Sequence, residues 1–126
     1  MPAPPAVRRL VVIGAGSRLS QVGEQFERRL LAHLEEGRTE GMWRLLGADF
    51  APSPVLTRLT SAVAGGLGPA VDPADLRDAA ATARADLAFD VTARLGSISP
   101  PTLLVTGTRD RAADPELARA TSATFQ

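Results

Sequence analysis

The chain has 126 residues, enough for one domain or part of one. Its 14 basic residues, all arginine, balance 14 acidic ones, so no electrostatic surface for nucleic acid or an anionic membrane is expected. The absence of cysteine excludes disulfides, thiolate metal sites and a cysteine nucleophile. Because no apolar run approaches the length needed to cross a bilayer, we expect a cytoplasmic protein without a membrane partner.

The chain opens with a proline-rich stretch, residues 1–7, that is expected to be disordered. A short apolar, β-branched run over residues 8–14 follows and is stopped by glycines. Such a run is typical of a buried parallel strand rather than a helix. Residues 8–19 are therefore predicted to form a core strand and its loop.

Residues 20–89 are predicted to be mostly helical. The first helix carries an apolar residue at every fourth position and is expected to stop at Gly37. The second is expected to end at Ala51-Pro52, and the third to be broken by Gly65-Gly66 together with Gly68-Pro69. A proline at the first helical position loses no hydrogen bond, which favours Ser53-Pro54 and Asp72-Pro73 as helix starts. The third helix has its apolar face at Val55, Leu56, Leu59 and Val63.

A second buried strand is predicted at Leu103-Leu104-Val105, and a tight loop at Gly107 presents Asp110 at its carboxyl edge. Open α/β sheets place their chemistry at that edge. Asp114, before a proline, is expected to cap a last helix over residues 117–125. The fold class is α/β, with two parallel core strands and a mostly helical insertion between them, longer than a crossover needs.

Two segments resemble parts of the α/β-hydrolase family. The residues Asp90, Arg94–Ile98, Pro101–Val105, Gly107 and Asp110 are similar to the part that leads into the strand carrying the triad acid. The stretch Val7–Gly16 is similar to the preceding strand, which leads into the family's helical lid. The resemblance implies a partial α/β-hydrolase fold, with residues 20–89 as the lid and residues 90–126 as the acid-bearing strand and following helix.

The resemblance also implies an activity, the hydrolysis of an ester, a lactone or a similar small apolar substrate without a cofactor. Asp110 would orient the catalytic histidine, and the nucleophile would be serine or, as in dehalogenase-like relatives, aspartate. No Gly-x-Ser-x-Gly elbow is present, because Arg18 and Leu19 follow Ser17. The elbow is expected before Met1 and the histidine after Gln126, so the chain is expected to be an inactive fragment.

The helical segment contributes candidate substrate-binding residues. His33 is the only histidine, and helical spacing places it beside Phe26, either packed or lining a pocket or, alternatively, in a catalytic or metal-binding role. Trp43, with Phe26, Met42 and Phe50, could line a substrate pocket from the lid or could belong to the core. No metal site is expected, because no second histidine or carboxylate stands at ligand spacing.

Two other classes of function remain open from the sequence. A non-catalytic helical module could bind a partner through the lid and the exposed edges of a two-stranded sheet, and those bare edges would favour a homodimer. Gly14-Ala15-Gly16 after a strand invites a nucleotide-binding interpretation, but Leu19 stands where a third small residue is needed. Glu35 and Glu36 stand at about the right distance for the ribose-binding acid but fall in a helix.

Overall fold

The computed structural model describes residues 7–49, 53–108, 110 and 114–125. The predicted disordered start, apart from Val7, lies outside these residues, as do Phe50 and the predicted helix end at Ala51-Pro52. In chain order the elements are strand β1 (Leu10–Ile13), helices α1 (Gln21–Glu35), α2 (Thr39–Asp49), α3 (Pro54–Leu67) and α4 (Pro73–Ala88), a 3₁₀ helix (Thr92–Ser97), strand β2 (Thr102–Val105) and helix α5 (Pro115–Ser122).

Strands β1 and β2 form a parallel pair in which Leu10 faces Thr102 and Ile13 faces Val105. Four α-helices lie between them in the sequence. The predicted α/β class, with a mostly helical insertion between two parallel strands, is therefore confirmed. The 3₁₀ helix before β2 is not foreseen by the sequence pattern.

The prediction that both strands are buried is wrong for one face of the sheet. Residues facing one way, such as Leu10 and Leu104, are half-buried, whereas those facing the other way are exposed. Ile13 is 73% exposed and Leu103 59%. The residues of α5 line a cleft with Leu104 on the half-buried face, and nothing in the described part of the chain covers the other face to the same degree.

The structure divides into two compact units. The sheet unit comprises Met1–Glu24 and Ala88–Gln126, and the helical unit comprises Gln25–Leu87. The boundary falls inside α1. The helical unit and the predicted lid, residues 20–89, cover nearly the same part of the chain, and the role of that part as a lid stays a prediction.

The helical unit has its core where α1, α2 and α4 meet, and its buried residues are Leu34, Met42, Ala80 and Ala83. Helix α3 packs on α2 at very short range, because a Cβ atom added at Gly47 would lie 2.6 Å from the carbonyl oxygen of Thr60. Of the glycines predicted to break the third helix, Gly65 and Gly66 lie inside α3, which ends at Leu67 with Gly68 as its C-cap. Gly65 instead makes room for Arg44, whose Nε would lie 2.8 Å from a Cβ atom there.

Candidate functional site

The carboxyl ends of β1 and β2 meet at one edge of the sheet unit. The amide of Gly14 donates to the carbonyl oxygen of Val105 at 2.9 Å, which extends the parallel ladder beyond Ile13. Past β2 the chain turns, and the amide of Asp110 donates to the carbonyl oxygen of Gly107 at 3.0 Å. The turn holds the Asp110 backbone close to the strand end.

The carboxylate of Asp110 lies over the end of the neighbouring strand. A Cβ atom at Gly14 would be 4.0 Å from Asp110 Oδ2, and Gly14 has a φ of 62°, a backbone conformation that favours glycine. Asp110 is half-buried. A triad acid needs this kind of position, on a fixed loop at the carboxyl edge, and its catalytic role stays a prediction.

A group of three hydroxyls, two of them on buried residues, lies in the same unit and was missed by sequence reasoning. Ser17 is only 4% exposed, and its Oγ accepts hydrogen bonds from the hydroxyls of Thr92 and Thr121, each at 3.2 Å. The amide of Val91 donates to the Ser17 carbonyl oxygen at 2.8 Å. Ser17 thus joins the loop after β1 to the 3₁₀ helix and to α5. Its partners lie far away in the sequence, and only the position of Ser17 after a strand hinted at a buried loop.

The residues that suggested a nucleotide site, Gly16 and Glu35, make contacts within the protein. A Cβ atom at Gly16 would lie 2.9 Å from Leu117 Cδ2, so α5 packs directly on this loop. Glu35, weighed as a ribose ligand, forms an ion pair with Arg84 at 2.6 Å. These contacts account for the residues that suggested a nucleotide site, without a ligand.

Two other acids of the sheet unit cap local structure. Asp114 accepts from the amides of Glu116 at 3.0 Å and Leu117 at 2.8 Å, which confirms its predicted role as the N-cap of α5. The exposed Asp90 accepts from the Thr92 amide at 2.9 Å. Hydrogen bonds from the Thr92 side chain and backbone hold the pKa of Asp90 below its usual value, and the charge of Arg18 adds to this effect.

In the helical unit, His33 and Trp43 each pack against a glycine. The His33 imidazole lies beside Gly41, where an added Cβ atom would come within 2.5 Å of the ring. His33 Nδ1 is buried and has no hydrogen-bond partner among the described residues. Trp43 packs on Gly68, and its Nε1 donates to the Pro69 carbonyl oxygen at 2.9 Å.

The other candidate lid residues differ in burial. Phe26 is half-buried on α1, whereas Met42 is 6% exposed and belongs to the core. The same unit holds an open cleft of about 530 Å³ between α1 and α4, lined by Leu34, Glu35, Gly37, Pro73, Leu76, Arg77, Ala80 and Arg84. Phe26, His33 and Trp43 do not line this cleft.

Within the described ranges, no group of three histidine, aspartate or glutamate side chains is placed to hold a metal ion. No helix there has the length and apolar character required to span a membrane. Comparisons with family models, with curated proteins and with solved structures find no match.

Proposed function

We propose that this chain supplies the acid-bearing strand and the helical lid of an α/β-hydrolase-type enzyme that acts on an ester, a lactone or a similar small apolar substrate. One observation carries the proposal. The Asp110 carboxylate is positioned at the shared carboxyl edge of two parallel strands, against Gly14 of the neighbouring strand. The long helical insertion between those strands supports it as well.

In this proposal Asp110 accepts a hydrogen bond from the N–H of a histidine side chain. The carboxylate then fixes the imidazole tautomer and stabilises the imidazolium that forms when the nucleophile loses its proton. His33 lies in the helical unit, and the sequence has no nucleophile elbow. The nucleophile, serine or aspartate, and the catalytic histidine are therefore assigned to residues outside these 126, and this chain alone is inactive.

The helical unit is assigned the role of shaping a pocket for an apolar substrate. Phe26, His33 and Trp43 are the proposed substrate-binding residues. His33 has a buried ring nitrogen without a hydrogen-bond partner among the described residues, and a substrate oxygen that reaches it would form that hydrogen bond. A cytoplasmic location completes the proposal, as does the absence of a nucleic-acid partner, which the balanced charge suggests.

The experiment compares two polypeptides in the hydrolysis of a 4-nitrophenyl ester. The 126-residue chain is expected to give no turnover above buffer. The polypeptide isolated from the source, with its intact mass measured, is expected to contain a nucleophile elbow and a further histidine and to be active. In it, Asp110→Asn should lower kcat by roughly 10⁴-fold. The matched control Asp114→Asn keeps a capping side chain and should leave kcat unchanged.

Three results would contradict the proposal. One is turnover by the 126-residue chain that Asp110→Asn abolishes. Another is an active source polypeptide in which Asp110→Asn has no more effect than Asp114→Asn. The third is a source polypeptide with the mass of this chain and no hydrolase activity.

A second candidate is a non-catalytic helical module that binds a partner or dimerises through its lid and sheet edges, and the exposed apolar residues of β1 and β2 favour association at the sheet. A molar mass independent of concentration would count against it. For the less favoured nucleotide-binding alternative, the geometry at Gly16 gives no support, and we expect no shift in melting temperature with nicotinamide or flavin dinucleotides.

A further inference from the structure

Helix α3 presents its large apolar side chains to solvent. It contains no buried residue. Its apolar positions recur every fourth residue along one side, and their exposed fractions are 77% for Val55, 42% for Leu56, 58% for Leu59, 48% for Val63 and 80% for Leu67. These five residues form the α3 stripe. A helix of a globular protein normally turns such a stripe toward its core.

The opposite side of α3 explains this orientation. Helix α2 packs on the small residues of α3, since a Cβ atom at Gly47 would lie 2.6 Å from both Thr60 O and Ala64 Cβ. The Thr57 and Thr60 hydroxyls bond to carbonyl oxygens of the preceding turn. The small residues of α3 thus contact α2 closely, and no described residue covers the α3 stripe.

The size of the stripe fits a second copy of the same surface. Each of the five side chains leaves on the order of 100 Å² uncovered, so one copy presents about 500 Å², as large as the largest patch on a typical monomer. Two copies face to face would bury roughly 1,000 Å², which is the lower limit for a specific interface. The pair should therefore be weak, with a Kd on the order of 10–100 μM.

Charge decides the direction of the pairing. Arg58 is the only charged residue of α3, and the helical repeat places it beside the stripe, one residue before Leu59. In a parallel pair the two Arg58 side chains would lie together, whereas an antiparallel pair separates them along the helix axis. Antiparallel helix dipoles also attract each other. We infer that two copies of this chain form a symmetric dimer through antiparallel contact of their α3 stripes, independently of the proposed hydrolase function.

The first test measures molar mass by sedimentation equilibrium from about 1 to 500 μM, a range that spans the expected Kd. The wild-type mass should rise from 13.2 kDa toward twice that value. Leu59→Glu should weaken association by roughly a hundredfold, because each carboxylate would be buried unpaired against Val63 of the other copy. Ala81→Glu makes the same charge change at an exposed position on α4, and Leu103→Glu makes it on the exposed sheet face; both should dimerise like wild type.

A wild-type chain that stays monomeric over this range overturns the inference. So does any pattern in which Leu59→Glu dimerises normally, or in which Leu103→Glu or Ala81→Glu dissociates the dimer. Circular dichroism checks that each variant is folded.

The second test measures direction. The chain has no cysteine, so Leu59→Cys and Val63→Cys variants each carry a single thiol. In the antiparallel pair Leu59 faces Val63 of the other copy, and an equal mixture oxidised with a copper catalyst should give mainly the mixed 59–63 disulfide, identified by mass. A predominance of 59–59 and 63–63 products, or cross-linking no faster than with Ala81→Cys, contradicts the antiparallel arrangement.

Discussion

The indole N–H of Trp43 donates to the carbonyl oxygen of Pro69 at 2.9 Å, which joins α2 to the segment that follows α3. The indole ring packs on Gly68 beside this bond. A Cβ atom at Gly68 would collide with the ring and would lie 2.7 Å from the carbonyl oxygen of Ala64. The contact therefore depends on the absence of a side chain at Gly68.

We expect Gly68→Ala to lower the free energy of unfolding by about 1–3 kcal/mol, because the methyl group overpacks the contact with Trp43. Gly66→Ala is the matched control. A Cβ atom there meets nothing within 4 Å, and alanine at this position in the last turn of α3 should raise stability by about 0.5 kcal/mol. Urea unfolding measures both variants. Equal changes in the free energy of unfolding would show that the close contact at Gly68 does not make alanine unfavourable there.

Loss of the Asp114 cap should destabilise α5. Asp114→Ala removes the acceptor for the amides of Glu116 and Leu117, and the expected cost is about 1 kcal/mol of unfolding free energy. Asp114→Asn keeps a capping oxygen and should cost less than half as much. Thermal unfolding of the two variants separates capping from a general effect of substitution, since equal losses would argue against the cap.

Glu27 should make stability depend on pH in an unusual direction. Burial, together with the charge of Asp86, raises its pKa above the usual value. A raised folded pKa means that ionisation disfavours the fold, so the penalty is absent below the unfolded pKa near 4.3 and develops as the pH rises from there through the folded pKa.

Glu27→Gln should therefore increase stability at pH 7 by a few tenths of a kcal/mol, a small amount because the group is partly solvated. The gain should vanish near pH 3. Asp86→Asn should give a smaller gain, and the two gains should not add fully. Thermal melts at both pH values measure the stability difference between wild type and variant. A Glu27→Gln variant that is less stable than wild type at pH 7 would contradict the prediction.

The hydroxyls of Ser17 and Thr121 should show coupled effects on stability. Ser17→Ala leaves the buried Thr121 hydroxyl without the partner it contacts at 3.2 Å, at an expected cost of about 1–2 kcal/mol. Adding Thr121→Val removes that stranded hydroxyl. The double variant should lose less than the sum of the single losses, as measured in a double-mutant cycle by urea unfolding. Additive losses would exclude the coupling.

Features set by neighbouring residues could be predicted from the sequence. Ser53-Pro54 and Asp114-Pro115 begin helices because both the cap and its amide partners lie within a few positions, and the Asp114 prediction is confirmed by two hydrogen bonds. The parallel pairing of β1 and β2 follows from two short apolar runs separated by helices.

Features set by distant residues could not be predicted. Gly65 was predicted to help break the third helix. It instead gives space to the side chain of Arg44, which belongs to another helix and is distant in the sequence. The hydroxyl contacts of Ser17 join three separate segments. For the candidate site, the sequence placed Asp110 after β2, while its approach to Gly14 depends on how the two loops turn.

Trp43 is the only tryptophan of the chain, and its ring packs in the helical unit against Gly68. Its fluorescence therefore reports on the helical unit alone, without a contribution from the sheet unit. The change in emission with denaturant follows the opening of the contact between α2 and the end of α3. Comparing that curve with far-ultraviolet dichroism of the whole chain would show whether the two units melt together or in sequence.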